Sequence, residues 1–176
     1  MLNELIAVVG TLLSVYFGYY LSDRQWQKQA TKQMKNIAQG IYNEILLIED
    51  LISPIVDEYD KVTVGSPSML NDIIYNTKVD LNIYKSLYNE SGLYFHFRKE
   101  IQDFDSSIIK DIEQFYTNLL SADKCYRVYM NLLYEQKVTF REIGRTQGYI
   151  HHYLKKTLET SLSLKKSLED YIKSNN

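Results

Sequence analysis

LIAVVGTLLSVYFGYYL, residues Leu5 to Leu21, is an uncharged and mostly apolar run near the start of a 176-residue chain. As a helix it would cover roughly 25 Å, close to the apolar thickness of a bilayer. Glu4 precedes the run, no basic residue does, and the polar sequence SDRQWQKQ follows it. A cleaved signal peptide is the competing interpretation, but it requires a basic leader and a small-residue cleavage site. The run therefore predicts an uncleaved transmembrane anchor, residues 1–22.

Basic residues flank this run on its C-terminal side only. The positive-inside rule then places the short N-terminus outside and the rest of the chain in the cytoplasm. A basic juxtamembrane helix, residues 23–36, is expected to follow the anchor. Its predicted membrane-interface residues are Arg24, Trp26, Lys28 and Lys32. The single Cys125 suits a cytoplasmic domain, where disulfides are rare.

One face of the predicted span consists of small and polar residues. They recur at steps of three and four, so they share a helix face; they are Glu4, Ala7, Thr11, Ser14 and Gly18. Such a stripe either packs closely against another helix or faces water. Two interpretations follow: a dimer contact with an interfacial carboxylate, or the lining of a pore with a ring of carboxylates at its mouth.

The remaining residues, 37–176, are predicted to form one helical bundle. Only 2 Pro and 7 Gly occur in the whole chain, and strand alternation is not apparent. Isoleucines at helical spacing run from Ile37 to Ile55, with Ser53-Pro54 expected to kink or restart that helix. A loop at 62–68, short helices at 69–75 and 81–88, a long helix from Ile101 and a final helix from near Thr139 to Ile172 should follow. The fold class is therefore all-α, with four to five helices in the bundle.

Charge and motifs exclude several functional classes. The net charge of −2 argues against general nucleic-acid binding. The chain contains no glycine-rich phosphate loop, no HExxH and no cysteine pair, and its three histidines do not form a metal-binding pattern. We therefore predict neither a metal nor a cofactor. Residues 42–60 hold six acids and no base, whereas 155–173 hold five lysines; these lysines form either a solvated face or a contact with phosphate or lipid head groups.

One candidate catalytic constellation remains, Arg145-Thr-Gln-Gly-Tyr-Ile-His151-His152. A guanidinium binds phosphate through a planar fork, and an imidazole titrates near neutrality. Helical spacing favours His152 over His151, because seven residues place Arg145 and His152 on one face. The structural alternative has Arg145 paired with the acidic segment and both histidines at a helix surface. No catalytic residue is assigned on this pattern alone.

An Arg followed by four to six residues and a His resembles the signature of HEPN ribonuclease-like domains, which are all-α bundles of about this size. In those domains a polar residue usually follows the Arg directly, and Thr146 differs from the usual Asn, Asp or His. With the N-terminal span, the chain resembles the small HEPN-like membrane accessory protein of type VI-B CRISPR systems. At residue level only Arg145, His151 and His152 support this resemblance.

The resemblance implies a ring-shaped homo-oligomer whose N-terminal helices form a pore in the bacterial inner membrane. Opening would depolarise the membrane when the RNA-guided, RNA-targeting effector is active, so the partners are a second copy of the chain, the lipid bilayer and, functionally, that effector. RNA is possible as a ligand but is not favoured, and the protein is not expected to be an enzyme. Two alternatives remain: a membrane-anchored helical scaffold, and a membrane-tethered HEPN-type ribonuclease.

Overall fold

A computed structural model describes the backbone of residues 2–61, 92–134 and 139–175, and the side chains of these ranges from residue 14 onward, residue 15 excepted. Four α-helices and one short 3-10 helix occupy these ranges, and no strand occurs in them. The helices are α1 (Leu2–Lys61), α2 (Leu93–His96), the 3-10 helix (Glu100–Asp103), α3 (Ser106–Tyr134) and α4 (Phe140–Ser174). The all-α prediction is confirmed.

Helix α1 is 60 residues long and continues without interruption from the predicted anchor into the bundle. At 1.5 Å per residue it extends about 90 Å. The predicted boundaries at residues 22/23 and 36/37 both fall inside it. The two expectations at Pro54 were a kink and a restart; the restart is wrong, because the helix continues to Lys61, and the kink stays a prediction. Pro54 is exposed, so the carbonyl that loses its hydrogen bond can bind water, while the buried Ile52 and Ile55 hold the turns on either side.

The C-terminal half of α1 provides one wall of the core. Its isoleucines at helical spacing are almost completely buried, as predicted; they are Ile37, Ile41, Ile45, Ile48, Ile52 and Ile55. Isoleucine is a weaker helix former than leucine because its branched Cβ crowds the preceding turn. The helix forms here because packing of an apolar face contributes more than intrinsic propensity.

Cross-helix contacts show that α4 is antiparallel to both α1 and α3. Tyr42 of α1 donates a hydrogen bond to Glu169 of α4, and Asp60 of α1 accepts one from Lys155 of α4. Residue numbers therefore rise along α1 in the direction in which they fall along α4. Between α3 and α4, Asn118 contacts Thr160 at 3.4 Å and Tyr129 contacts Gln147 at 3.5 Å, so the numbering again runs in opposite directions. Helices α1 and α3 therefore run parallel, on either side of α4.

Two helix starts were predicted with different success. Helix α4 begins after Thr139, as expected, and a reciprocal capping box explains why: Glu142 N donates to Thr139 Oγ1 and Thr139 N donates to Glu142 Oε2, at 3.3 and 2.9 Å. The start of α3 at Ile101 is wrong, since Ile101 lies in the 3-10 helix and α3 begins at Ser106. Phe104 has an extended backbone between them, and both apolar residues are still buried in the core.

Three predicted segments lie outside the described residues: the loop at 62–68 and the short helices at 69–75 and 81–88. The same holds for the side chains of residues 5–13 and 15, which form most of the predicted span. Over the part of the chain that is described, no helix combines the length and the apolarity needed to cross a membrane.

Candidate functional site

The predicted pore-lining residues all belong to α1. The side chains of Glu4, Ala7 and Thr11 lie outside the described residues. Ser14 is exposed, and a Cβ added at Gly18 would meet no atom within 4 Å. This face of α1 is therefore accessible to a second helix or to solvent at the two positions that are described.

The predicted membrane-interface residues lie about two to four turns beyond Gly18 on α1, and all are exposed. Trp26 is 71% exposed, and the Arg24 guanidinium lies 4.9 Å from the centre of the Tyr20 ring. Large apolar side chains are exposed in the turns before them; they are Tyr16, Phe17, Tyr19, Tyr20 and Leu21. Contiguous exposed apolar patches are typical of surfaces that contact a partner or a membrane.

The Arg145 constellation is divided by the structure. Arg145 and His152 are both exposed on α4, which continues through Gly148. Arg145 Nε donates to the Tyr149 hydroxyl at 3.1 Å, and its guanidinium lies 5.5 Å from the centre of that ring. The alternative in which Arg145 pairs with the acidic segment is wrong, because its described contact is Tyr149 one turn away.

His151 faces α1 and makes the contact with the acidic segment that had been considered for Arg145. Its ring stacks on Tyr59, with centroids 4.2 Å apart and planes 12° from parallel. Nε2 lies 2.8 Å from Asp60 Oδ1, an ion-pair distance, although the ring nitrogen makes no well-aligned hydrogen bond within the described part of the chain. Asp60 Oδ2 accepts from Lys155 Nζ at 3.0 Å. His151 therefore joins α4 to the end of α1.

The pKa values in this cluster follow from burial and charge. Burial lowers the pKa of His151, and the carboxylate of Asp60 offsets that effect only in part. The hydrogen bond from Lys155 lowers the pKa of Asp60, and the nearby His151 contributes to the same effect. His151 is half-buried and stacked on Tyr59, so His152 is the more accessible of the two histidines.

A second buried polar group lies at the centre of the bundle and was not predicted. Glu44 is only 4% exposed, and its Oε2 accepts from the Tyr116 hydroxyl at 2.7 Å. The ring of Tyr94 stacks on Tyr116 with centroids 4.4 Å apart. Burial raises the pKa of Glu44, while the bonds from Tyr116 and from the backbone N–H of Leu93 oppose that rise. The carboxyl links α1, α2 and α3.

Between the Tyr42–Glu169 and Asp60–Lys155 contacts of the α1–α4 interface, Glu49 accepts hydrogen bonds from both Ser161 and Lys165. The charge segregation seen in the sequence is therefore partly an interface: Lys155 and Lys165 each pair with an acid of α1, whereas Lys156 and Lys166 are exposed. Sequence reasoning could have found these pairs from the antiparallel order of acids and lysines. The Glu44–Tyr116 pair gave no such signal, because both residues lie within ordinary helical patterns.

Metal and thiol chemistry gain no support. Among the described residues, no group of His, Cys, Asp and Glu is arranged to hold a metal ion. Cys125 is half-buried in α3, and burial raises the pKa of its thiol, which keeps it protonated and unreactive. Comparison with known proteins adds no identification: no protein-family model, curated protein or solved structure matches this chain.

Proposed function

We propose that the protein is a membrane-anchored accessory protein of the type VI-B CRISPR class, which assembles into a homo-oligomeric pore and depolarises the bacterial inner membrane when the RNA-targeting effector is active. The observation that supports this best is the continuity of α1. One helix contains the apolar run at its start and the isoleucine wall of the core near its end. The N-terminus lies outside in this proposal, and the bundle is cytoplasmic.

Helix continuity matters because it connects the bundle to the membrane element mechanically. Residues Ile37 to Tyr59 pack in the core, so α1 moves with α4 and α3 when bundles rearrange against one another. Residues 16–33 have no buried side chain and extend beyond the core. A change in how several bundles pack would therefore be transmitted along α1 to the stripe that contains Ser14 and Gly18. A continuous helix of this kind provides the mechanical connection that gating of such a pore would require.

The exposed aromatic residues of α1 support a lipid environment. Tyr16 and Tyr19 are 65% and 76% exposed, and Trp26 follows after two turns. Tyrosine and tryptophan are enriched where an apolar phase meets water, since one end of each ring is apolar and the other binds water. The basic residues begin at Arg24, where the cytoplasmic surface would lie.

Conductance in a planar bilayer tests the pore. We expect discrete currents from the detergent-purified full chain, and their loss in Ser14→Leu/Gly18→Leu. Both positions are accessible, so leucine there fills the proposed lumen and leaves the bundle intact. Tyr16→Leu/Tyr19→Leu is the matched control, because it introduces the same two leucines on another face of α1.

Each outcome separates the candidate functions. Currents that disappear in both double variants would contradict a lumen lined by this stripe. Well-incorporated oligomers of the wild type that pass no current, with or without the effector, would favour the anchored scaffold. A scaffold also tolerates leucine at Thr11, Ser14 and Gly18 without loss of antiphage protection.

The ribonuclease alternative is favoured by one observation, the exposure of Arg145 and His152 on the same face of α4. A second subunit could complete an active site there. Metal-independent RNA cleavage that is lost in His152→Ala and retained in a folded His151→Gln variant would establish the enzyme. Loss of assembly in Arg145→Ala and His152→Ala would instead assign this face to a subunit interface.

A further inference from the structure

The basic residues after the predicted span form a cleft. An open cavity of about 650 Å³ lies between α1 and the end of α4, and it is lined by Arg24, Lys28, Lys32, Lys35 and Asn175. The four cations recur at steps of four, four and three, so they share one face of α1. Residues 24–43 contain no acidic residue. The cleft therefore concentrates positive charge in a concave surface.

We infer that this cleft binds the phosphate-bearing head group of an anionic phospholipid from the cytoplasmic leaflet. The inference rests on the proposed function, because it requires the apolar run of α1 to lie in the bilayer. Guanidinium and ammonium groups bind phosphate through charge-assisted hydrogen bonds, and clusters of four or more such groups beside a span attract anionic lipids. Thr31 and Asn175 also line the cleft, but Thr31 Oγ1 donates to Gln27 O and Asn175 Nδ2 donates to Tyr171 O, so the four cations are the groups that bind the head group.

Distance along α1 favours a lipid over a soluble phosphate. Arg24 and Lys28 follow Leu21 by about 5 and 10 Å of helix rise, and Lys32 and Lys35 by about 16 and 21 Å. The head-group layer is only about 5 to 8 Å thick on each side. Arg24 therefore lies within this layer and the long Lys28 side chain reaches back into it, whereas Lys32 and Lys35 act on it only by long-range attraction. A lipid ligand predicts that the four cations contribute unequally.

The single tryptophan provides the probe, since Trp26 lies between Arg24 and Lys28. The full chain is reconstituted into phosphatidylcholine bilayers that contain nitroxide-labelled phosphatidylglycerol or nitroxide-labelled phosphatidylcholine, and quenching of Trp26 gives their relative association constants. We expect preference for phosphatidylglycerol in the wild type, with a loss of about fivefold for each nearby charge removed. Arg24→Gln/Lys28→Gln should abolish the preference.

Two further variants are matched in charge. Lys32→Gln/Lys35→Gln removes two cations from the distant end of the cleft and should reduce the preference by less than the first pair does. Lys156→Gln/Lys166→Gln removes two exposed lysines from α4, outside the cleft, and should leave the preference for phosphatidylglycerol unchanged. Equal effects of all three pairs would show attraction by net charge and would overturn the site.

A soluble anion is distinguished by titrating inorganic phosphate against the protein in a neutral detergent. Binding that depends equally on both pairs within the cleft, together with equal quenching by the two labelled lipids, would assign the cleft to a soluble phosphate and overturn the lipid. The inference rests on the membrane span of the proposed function, and failure of that span gives a different result: the full chain would not incorporate into neutral phosphatidylcholine bilayers. Incorporation without preference for phosphatidylglycerol contradicts the lipid site alone.

Discussion

Replacing Tyr116 by phenylalanine tests the buried pair at the centre of the bundle. The Tyr116 hydroxyl lies 2.7 Å from Glu44 Oε2 and is completely buried with the ring that bears it. Phenylalanine keeps that ring and its stacking on Tyr94, so the substitution removes one hydrogen-bond donor and little else. Glu44 is then left with the backbone N–H of Leu93 as its other described donor.

The cost follows from the energy of a hydrogen bond to a buried charged group. Such bonds contribute about 1.5 to 3 kcal/mol, so we expect Tyr116→Phe to lower the free energy of unfolding by about 2 kcal/mol at pH 8. Tyr134→Phe is the matched control, because it removes the same atom from a side chain that is 81% exposed. It should change stability by less than about 0.5 kcal/mol.

The sign of the pH dependence is a stricter test. Burial raises the pKa of Glu44, so the folded state holds this proton more tightly than the unfolded state does. The contribution of Glu44 to stability therefore falls as pH rises from its unfolded pKa, about 4.3, through its folded pKa. Without the donor the folded pKa rises further, because the bond had stabilised the charged form. The loss in Tyr116→Phe should shrink between pH 8 and pH 5.

Urea unfolding of the full chain in a mild non-ionic detergent, followed by circular dichroism at both pH values, measures these quantities. Glu44→Gln removes the ionisation while its amide oxygen still accepts from Tyr116. In that background, Tyr116→Phe should cost less and equally at both pH values. A loss that is the same at pH 5 and pH 8 in the wild-type background would refute the assignment of Glu44 as the titrating group.

The same assay checks three more expectations. Lys165→Met breaks the half-buried contact with Glu49 and should cost about 1 kcal/mol, whereas the exposed Lys166→Met should stay within about 0.5 kcal/mol; equal losses would contradict the pairing. Burial lowers the pKa of His151, so the unfolded chain binds a proton at this histidine more readily than the folded chain does. The free energy of unfolding should therefore fall as the pH drops below about 6.5. His151→Phe should remove this pH dependence, and His152→Phe should retain it. Thr139→Ala removes the N-cap of α4 and should cost about 1 kcal/mol, and no loss at all would show that Glu142 caps the helix alone.

Local patterns were enough to predict much of the fold. The isoleucines from Ile37 to Ile55 repeat at the helical period, and the structure buries this face. Thr139 and Glu142 have the spacing of a capping box, and α4 begins there. Both signals involve residues within one or two turns of each other, which is the range over which sequence spacing determines side-chain position.

Errors arose where a local signal competed with packing. Proline interrupts a helix when nothing else stabilises the turn, but the buried Ile52 and Ile55 hold α1 together across Pro54. At Ile101 the apolar spacing continued into a 3-10 turn, because a 3-10 turn also directs residues three apart toward the same side. Periodicity alone does not distinguish a 3-10 turn from the first turn of an α-helix.

The sequence by itself determined the helical class, the apolar run and its basic flank, since these depend on composition and on spacing along one segment. Only the tertiary structure decided the roles of the two adjacent histidines. His151 and His152 differ by one position, which is about 100° around a helix, and the packing of α4 against Tyr59 and Asp60 partly buries His151 and leaves His152 exposed. The Glu44–Tyr116 pair likewise joins residues 72 positions apart, which only the arrangement of the helices brings within hydrogen-bond distance.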